Sequence, residues 1–237
     1  MTRHEDHIMK TVGILGGMSA ASTQIYYRTL CDLTQDRFGG LTSPDLLIRS
    51  LDFAPLAASM KAGDWAAIAR SLNAEARRLC DGGAELILLA SNTMHKLADQ
   101  MMQGVDAPLL HIADVTAKAV VARGCASPAF IATGFTMEER FYLDRLEGQG
   151  LRPLVPDAEQ RRDVNRIIFD ELCRNEVVPA SRERYIAVVR DLAMNGADSV
   201  ILGCTEVCLL LDEANTDLPL FDTTRLHCEA ALDAAAL

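Results

Sequence analysis

No stretch of the chain approaches the roughly 18 consecutive apolar residues that a membrane-spanning helix needs, so no membrane partner is expected. Basic residues are in the minority, 23 Lys and Arg against 33 Asp and Glu. The net charge of −10 argues against nucleic acid or an anionic lipid surface as a partner. There is no P-loop, and Gly16-Gly17 lacks the Gly-x-Gly-x-x-Gly spacing of a dinucleotide site. No Cys-x-x-Cys occurs and no Cys/His cluster has zinc spacing. Cys204 and Cys208 stand one helical turn apart without a comparable second pair, so a metal is not expected. The seven cysteines are an odd, scattered set, and residues 1–9 are polar and mixed in charge, unlike a signal sequence. Together these features predict reduced thiols in a cytoplasmic chain with a short flexible lead at 1–9.

What the chain does contain is a repeat. Residues 84–93 read Ala-Glu-Leu-Ile-Leu-Leu-Ala-Ser-Asn-Thr, and residues 197–206 read Ala-Asp-Ser-Val-Ile-Leu-Gly-Cys-Thr-Glu. Each runs from a small residue and an acid through an apolar stretch to a small residue, a reactive side chain and a polar pair. Each also follows a glycine, Gly83 or Gly196. Ser91 and Cys204 occupy the same slot. Gly16-Gly17-Met18-Ser19 has a weaker echo in Thr133-Gly134-Phe135-Thr136.

Short apolar strand patterns alternate with helical ones along the chain, which implies parallel sheets covered on both faces. Strands are expected near 11–15, 46–50, 86–90, 108–110, 130–132, 154–155, 200–203 and 218–221. Helices are expected over 20–35, 64–80, 93–102, 114–123, 137–146, 157–173, 181–194 and 223–237, with Asn92 and Ser181 as caps for two of them. The pattern restarts near residue 128. The predicted fold class is therefore α/β, with two similar lobes, each a parallel sheet flanked by helices, related by pseudo-twofold symmetry with the active site between them. The first lobe would comprise 10–112 plus 217–237, and the second 113–216.

Reactive residues of parallel α/β sheets sit outside the carboxyl ends of the strands. Ser91 and Cys204 each follow an apolar strand and precede an expected helix N-terminus, where free N–H groups favour an anion. Asn92, Thr93 and Thr205 add side-chain donors. The helix dipole would lower the pKa of Cys204 and raise its thiolate fraction. Two opposed proton-transfer groups around one carbon are what inversion of a stereocentre requires. The plainer readings are a strand-end serine that caps a helix and a cysteine that packs in the core.

Gly16-Gly17-Met18-Ser19, Ser91-Asn92-Thr93-Met94-His95-Lys96 and Gly203-Cys204-Thr205-Glu206 resemble the cofactor-independent aspartate/glutamate racemase family. The run from Asn165 to Leu172 and Phe221-Asp222-Thr223 look similar too, so the likeness extends over nearly the whole chain from Lys10. The resemblance implies an isomerase that uses two opposed acid/base residues, commonly both cysteines, with neither pyridoxal phosphate nor metal. It implies that Cys204 is one catalytic residue and that Ser91 stands where the other would be. It places Met18, Ser19, Asn92, Thr93, Thr133, Thr205 and Glu206 near a small amino-acid substrate, and it implies a homodimer. His95 belongs to the motif, and a helix residue bonded to backbone is an equally good reading of it.

The chain departs from the family at two places. Ser91 replaces the usual cysteine. A thiol has a pKa of about 8.5, whereas an alcohol has no comparable ionised state without an adjacent base. An asymmetric enzyme is expected, in which Cys204 removes the α-proton and Ser91, or a water it positions, returns one on the other face. Asp163 and Gly134 stand where relatives carry larger basic residues, so a basic or neutral amino acid is an alternative to an acidic one. Arg49 could restore the charge or serve in a surface ion pair. Two rival functions remain open: a single-cysteine decarboxylase or cis-diacid isomerase of the same superfamily, and a non-catalytic amino-acid-binding module.

Overall fold

In the computed structural model, which describes residues 9–174 and 176–236, β1 (Val12–Gly16) is buried along its whole length. Its neighbours are β2 (Leu46–Ser50) and β3 (Leu86–Leu89), both parallel to it, in the order β2-β1-β3. Val12 pairs with Leu46 on one side and Leu86 on the other. The segment expected as a strand at 108–110 contributes a single parallel bridge, Leu109 to Ile87. Around this sheet run α1 (Ala20–Phe38), α2 (Phe53–Ala62), α3 (Trp65–Asp81) and α4 (Ala98–Met101). The helix α3 buries Ile68, Leu72, Ala76 and Leu79, a stripe at helical spacing. Each fully buried leucine of that stripe contributes roughly 2 kcal/mol through apolar burial. The helix α2 has no counterpart among the expected elements. Asp52 caps it by accepting from the Ala54 N–H, and Gly63, at φ 72°, ends it.

The second sheet repeats the plan. It holds β4 (Pro128–Ala132), β5 (Ser199–Gly203) and β6 (Leu220–Asp222), all parallel, in the order β4-β5-β6. Leu154 adds a parallel bridge to Ala129 on the outer side of β4. With the single bridges at Leu109 and Leu154 included, each sheet reads second, first, third, fourth in chain order. Its helices are α5 (Ile112–Ala122), α6 (Gly134–Glu138), α7 (Arg140–Gly148), α8 (Ala158–Asp170) and α9 (Pro179–Met194), followed by α10 (Thr223–Ala235) after β6.

The equivalence extends to single hydrogen bonds. Glu85, just before β3, accepts from the Thr11 N–H at 3.1 Å. Asp198, just before β5, accepts from the N–H groups of Ala126 and Ser127 at 2.7 and 2.9 Å. In each sheet an acid at the start of the third strand ties down the backbone that leads into the first. Gly83 and Gly196, at φ 101° and 97°, supply the left-handed turn that precedes each acid.

Several expectations are corrected. The strand expected at 218–221 does not join the first sheet: β6 pairs with β5 in register Leu202↔Asp222, because the connection between them stays on the second core, where Val207, Leu210 and Leu211 are buried. The helix expected over 93–102 is a 3-10 turn, Thr93–Leu97, followed by the short α4. The helix expected over 137–146 is α6 and α7, separated at Glu139, whose backbone is extended. Ser181 is no cap; it lies inside α9 and its hydroxyl donates to Glu171 at 2.5 Å. The expected lead at 1–9 lies outside the described residues up to residue 8.

The chain divides into two compact units. One holds the described residues up to Ala90 together with Leu97–Leu110 and the end of α10 from Cys228. The other holds Ser91–Lys96 and His111–His227. The second unit is built around a core of Phe130, Ile131, Tyr142, Val164, Ile167, Tyr185, Val200 and Ile201, all essentially fully buried. The first has its own cluster, with Val12, Ile14, Tyr26, Leu30, Leu86 and Leu88 at its heart.

Candidate active site

In a sheet of this strand order the chain leaves the first and third strands in opposite directions. The carboxyl ends of those two strands form a crevice suited to a ligand. In the first sheet these ends lead to Gly16-Gly17-Met18-Ser19 and to Ala90. In the second they lead to Thr133 and to Cys204. The topology thus places the sequence motifs at the switch points of the two sheets.

Cys204 leaves β5 in an extended conformation, φ −147° and ψ 136°, and is 8% exposed. Gly203 before it has no room for a side chain. A Cβ there would stand 2.7 Å from the Phe130 ring and 2.9 Å from the Ala132 Cβ. A 3-10 turn, Thr205–Leu209, follows. The Arg182 guanidinium, from α9, clamps the end of that turn by donating to the carbonyls of Leu209 and Leu210, both at 3.2 Å. The Cys204 thiol donates to Glu206 Oε2 at 3.1 Å.

This contact overturns the expectation of a lowered thiol pKa. Burial pushes Cys204 well above the ordinary thiol range, and the Glu206 carboxylate adds to the rise through its charge and by accepting the thiol hydrogen bond. A five-residue turn with an acid in its first turn has little positive end to offer. At rest Cys204 is a thiol with a carboxylate acceptor in contact with it. Cys173, half-buried near the same carboxylate, is pushed up to about 12.

Ser91 begins the other turn. Its hydroxyl oxygen receives a long contact from the Met94 N–H at 3.4 Å. Ser91, not Asn92, is therefore the capping side chain of this turn. Its carbonyl accepts from His95 Nδ1 at 2.8 Å, while His95 Nε2 accepts from the Ile112 N–H at 3.3 Å. These partners define a neutral ring with the proton on Nδ1. His95 is thus a backbone-bonded residue, and neither ring nitrogen serves the Ser91 hydroxyl. The His111 and His227 rings lie 4.6 and 5.8 Å from His95. Burial first, then the Arg145 guanidinium, pushes the His111 pKa down to about 3. His111 Nδ1 accepts from the Ala113 N–H and caps α5.

Thr93 and Thr133 are brought into direct contact, with their hydroxyls 3.0 Å apart. Thr136, which the sequence signalled only through the weak echo at 133–136, closes a ring with them at 3.1 and 2.9 Å. Asn92 is 7% exposed. Its Nδ2 donates to Thr223 Oγ1 at 3.2 Å, and its Oδ1 has no hydrogen-bond partner among the described residues. Thr205 and Glu206 are both buried.

Met18 and Ser19 belong to the first unit. Gly17, at φ 90°, turns the chain out of β1, and a Cβ there would meet the Leu51 backbone at 2.2 Å. The Gly17 N–H donates to Thr23 Oγ1 at 2.7 Å. Ser19 caps α1 by accepting from the Ser22 N–H at 3.1 Å. Three residues that bear on substrate charge have structural partners. Asp163 accepts from Arg184 at 2.8 Å, and Arg49 pairs with Glu75 at 2.5 Å. The Gly134 N–H donates to Asn165 Oδ1 at 2.7 Å, and a Cβ on Gly134 would stand 3.1 Å from that oxygen.

Comparisons with known proteins show the family and the fold. The family model for Asp/Glu/Hydantoin racemase matches residues 15–231. A crystal structure of an assigned Asp/Glu racemase from Yersinia pestis is 40% identical, covers 95% of this chain and 99% of that one, and superposes with a TM-score of 0.89. An aspartate racemase homologue from Pyrococcus horikoshii is 30% identical, covers 95% and 99%, and has a TM-score of 0.84. Among curated sequences, the broad-specificity amino-acid racemase RacX of Bacillus subtilis is 24% identical over 216 residues, 90% of this chain and 92% of that one. The chain belongs to the Asp/Glu/hydantoin racemase family and is an enzyme of the racemase class.

Proposed function

We propose that this enzyme is a cofactor-independent amino-acid racemase or epimerase of the aspartate/glutamate type, with Cys204 as its main acid/base residue. The observation that carries the reading is the buried Cys204 thiol donating to Glu206 at the end of β5. In the forward direction the thiol proton passes to Glu206, and the resulting thiolate removes the α-proton of the bound amino acid. The negative charge spreads into the substrate carboxylate, which Thr93, Thr133 and Thr205 stabilise with neutral donors. Glu206 thus acts on the thiol rather than directly on the substrate. A proton then reaches the opposite face from Ser91 or from a water that it holds, and bulk water carries the proton on Glu206 back to that donor before the next turnover.

The reaction is asymmetric under this proposal, because among the described residues Ser91 Oγ has no carboxylate acceptor like the one Glu206 gives Cys204. The substrate is an α-amino acid. The Asp163–Arg184 pair accounts for the acidic side chain at 163 without a basic substrate. The working form is a cytoplasmic homodimer, which light scattering would check by mass.

The decisive experiment is α-proton exchange in heavy water across the common amino acids, after dialysis against a chelator. The expected result is deuterium incorporation at Cα for at least one of them, with one enantiomer exchanging faster. Absence of exchange from every amino acid would overturn the proposal. The serine at position 91 favours one second reading, a single-thiol decarboxylase. That enzyme would release carbon dioxide from a disubstituted malonate and leave amino-acid α-protons in place.

A further inference from the structure

The Thr223 hydroxyl carries one hydrogen, and it points to the Leu202 carbonyl at 2.8 Å. Towards Asn92, Thr223 can therefore only accept. Asn92 must present its Nδ2 there, at 3.2 Å, which fixes the direction of the amide by chemistry rather than by convention. The opposite end, Oδ1, is then a buried carbonyl oxygen without a partner among the described residues. Such an atom carries a desolvation penalty until a donor reaches it. A carboxylate arriving at Oδ1 would set acceptor against acceptor, whereas an ammonium group brings three charged donors.

From this relay we infer that Thr223 is a positioning residue that holds the Asn92 amide with its oxygen presented to the ligand, to accept from the ammonium group of the bound amino acid. The inference rests on the proposed amino-acid substrate. The relay also ties the Ser91-Asn92 segment to β5, since Leu202 lies two residues before Cys204. Thr223 itself is placed by β6, whose Asp222 pairs with Leu202 in register. Neither residue needs to touch the reacting carbon for this role.

The test is calorimetric binding of the twenty common amino acids and of their deaminated acids to the intact protein, with the tightest amino acid carried forward. Thr223→Val should weaken that amino acid about tenfold while changing its deaminated counterpart less than about twofold. In turnover the effect should fall on KM more than on kcat. Thr223→Ser, which keeps the hydroxyl, should restore the preference. Equal losses for both ligands, no loss, or no rescue by serine would each overturn the inference, as would a wild-type protein that binds no amino acid. If Thr223→Val does not fold, Asn92→Leu tests the same oxygen. It should erase the preference for the amino acid over the deaminated acid, and an unchanged preference counts against the inference. Binding with this pattern but without α-proton exchange would overturn the racemase reading and leave the role of Thr223 standing.

Discussion

Ser91 and Cys204 each follow the end of a buried apolar strand, and each leads into a five-residue 3-10 turn, Thr93–Leu97 in one case and Thr205–Leu209 in the other. Two residues further on, the turns diverge. Cys204 has Glu206 at that position, whose carboxylate accepts the thiol hydrogen. Ser91 has Thr93, whose hydroxyl is engaged with Thr133 and Thr136. Four residues on, His95 could have been a base for Ser91, but backbone groups occupy both of its ring nitrogens. The asymmetry therefore resides in the turns as well as in the exchange of oxygen for sulfur. One turn holds a proton acceptor beside its reactive atom, whereas in the other His95 is bonded to backbone and Thr93 to neighbouring hydroxyls.

That contrast can be broken most severely at the sulfur. Cys204→Ala should lower α-proton exchange about a thousandfold in both directions, measured by NMR in heavy water. A residual rate within tenfold of wild type would show that the sulfur is not the base. Glu206→Gln should reduce exchange by about a hundredfold, because the thiol loses its internal acceptor. The same change removes a carboxylate that raises the thiol pKa, so the pH dependence of Cys204 alkylation should move to lower pH. A thiol that alkylates more readily while the enzyme turns over more slowly would separate the acceptor role of Glu206 from its charge.

The Ser91 side has its own acid sensitivity. The His111 pKa is depressed from 6.5 to about 3 in the folded state. The unfolded chain therefore binds the extra proton first. This contribution to stability is complete above the unfolded pKa and is lost as pH falls through 6.5 towards 3. Between pH 7 and pH 5 the loss is about 2 kcal/mol, readable in urea unfolding curves. His111→Asn, which keeps a capping side chain for α5, should flatten that dependence, and an unchanged slope would remove His111 as its source. The smallest effect is expected from Ser91→Cys. A second thiol should speed the slow direction about tenfold. It should not equalise the two directions, because no carboxylate accompanies it.

The fold was legible in the sequence wherever the signal was repeated. The segments at 84–93 and 197–206 announce two strands in equivalent settings, and Glu85 and Asp198 indeed hold equivalent backbone groups. The helix α2 escaped attention although Asp52 and Gly63 are ordinary start and stop residues, because the alternation from one strand to the next did not need it. The strands expected at 108–110 and 154–155 are present as single bridges at Leu109 and Leu154, so their positions were legible and their extent was not. A single bridge leaves almost no pattern, and its register is set by the neighbouring strand. At the site, local rules failed where tertiary contacts act. The thiol pKa follows Glu206 rather than a helix end, and the capping role falls to Ser91 rather than Asn92. Thr136 and Thr223 carry little signal of their own, since their hydroxyls acquire meaning only when partners 43 and 131 residues away are brought within reach.

The triangle of Thr93, Thr133 and Thr136 has a consequence for how a ligand is received. Three hydroxyls share three hydrogens, so the loop can circulate clockwise or anticlockwise with every oxygen giving once and taking once. The three hydroxyls thus satisfy one another. An anion that draws hydrogens from Thr93 and Thr133 breaks this degeneracy and leaves Thr136 to bridge what remains. If the proposed carboxylate site is right, receiving the ligand there begins with a reorientation of hydroxyl rotors already in place.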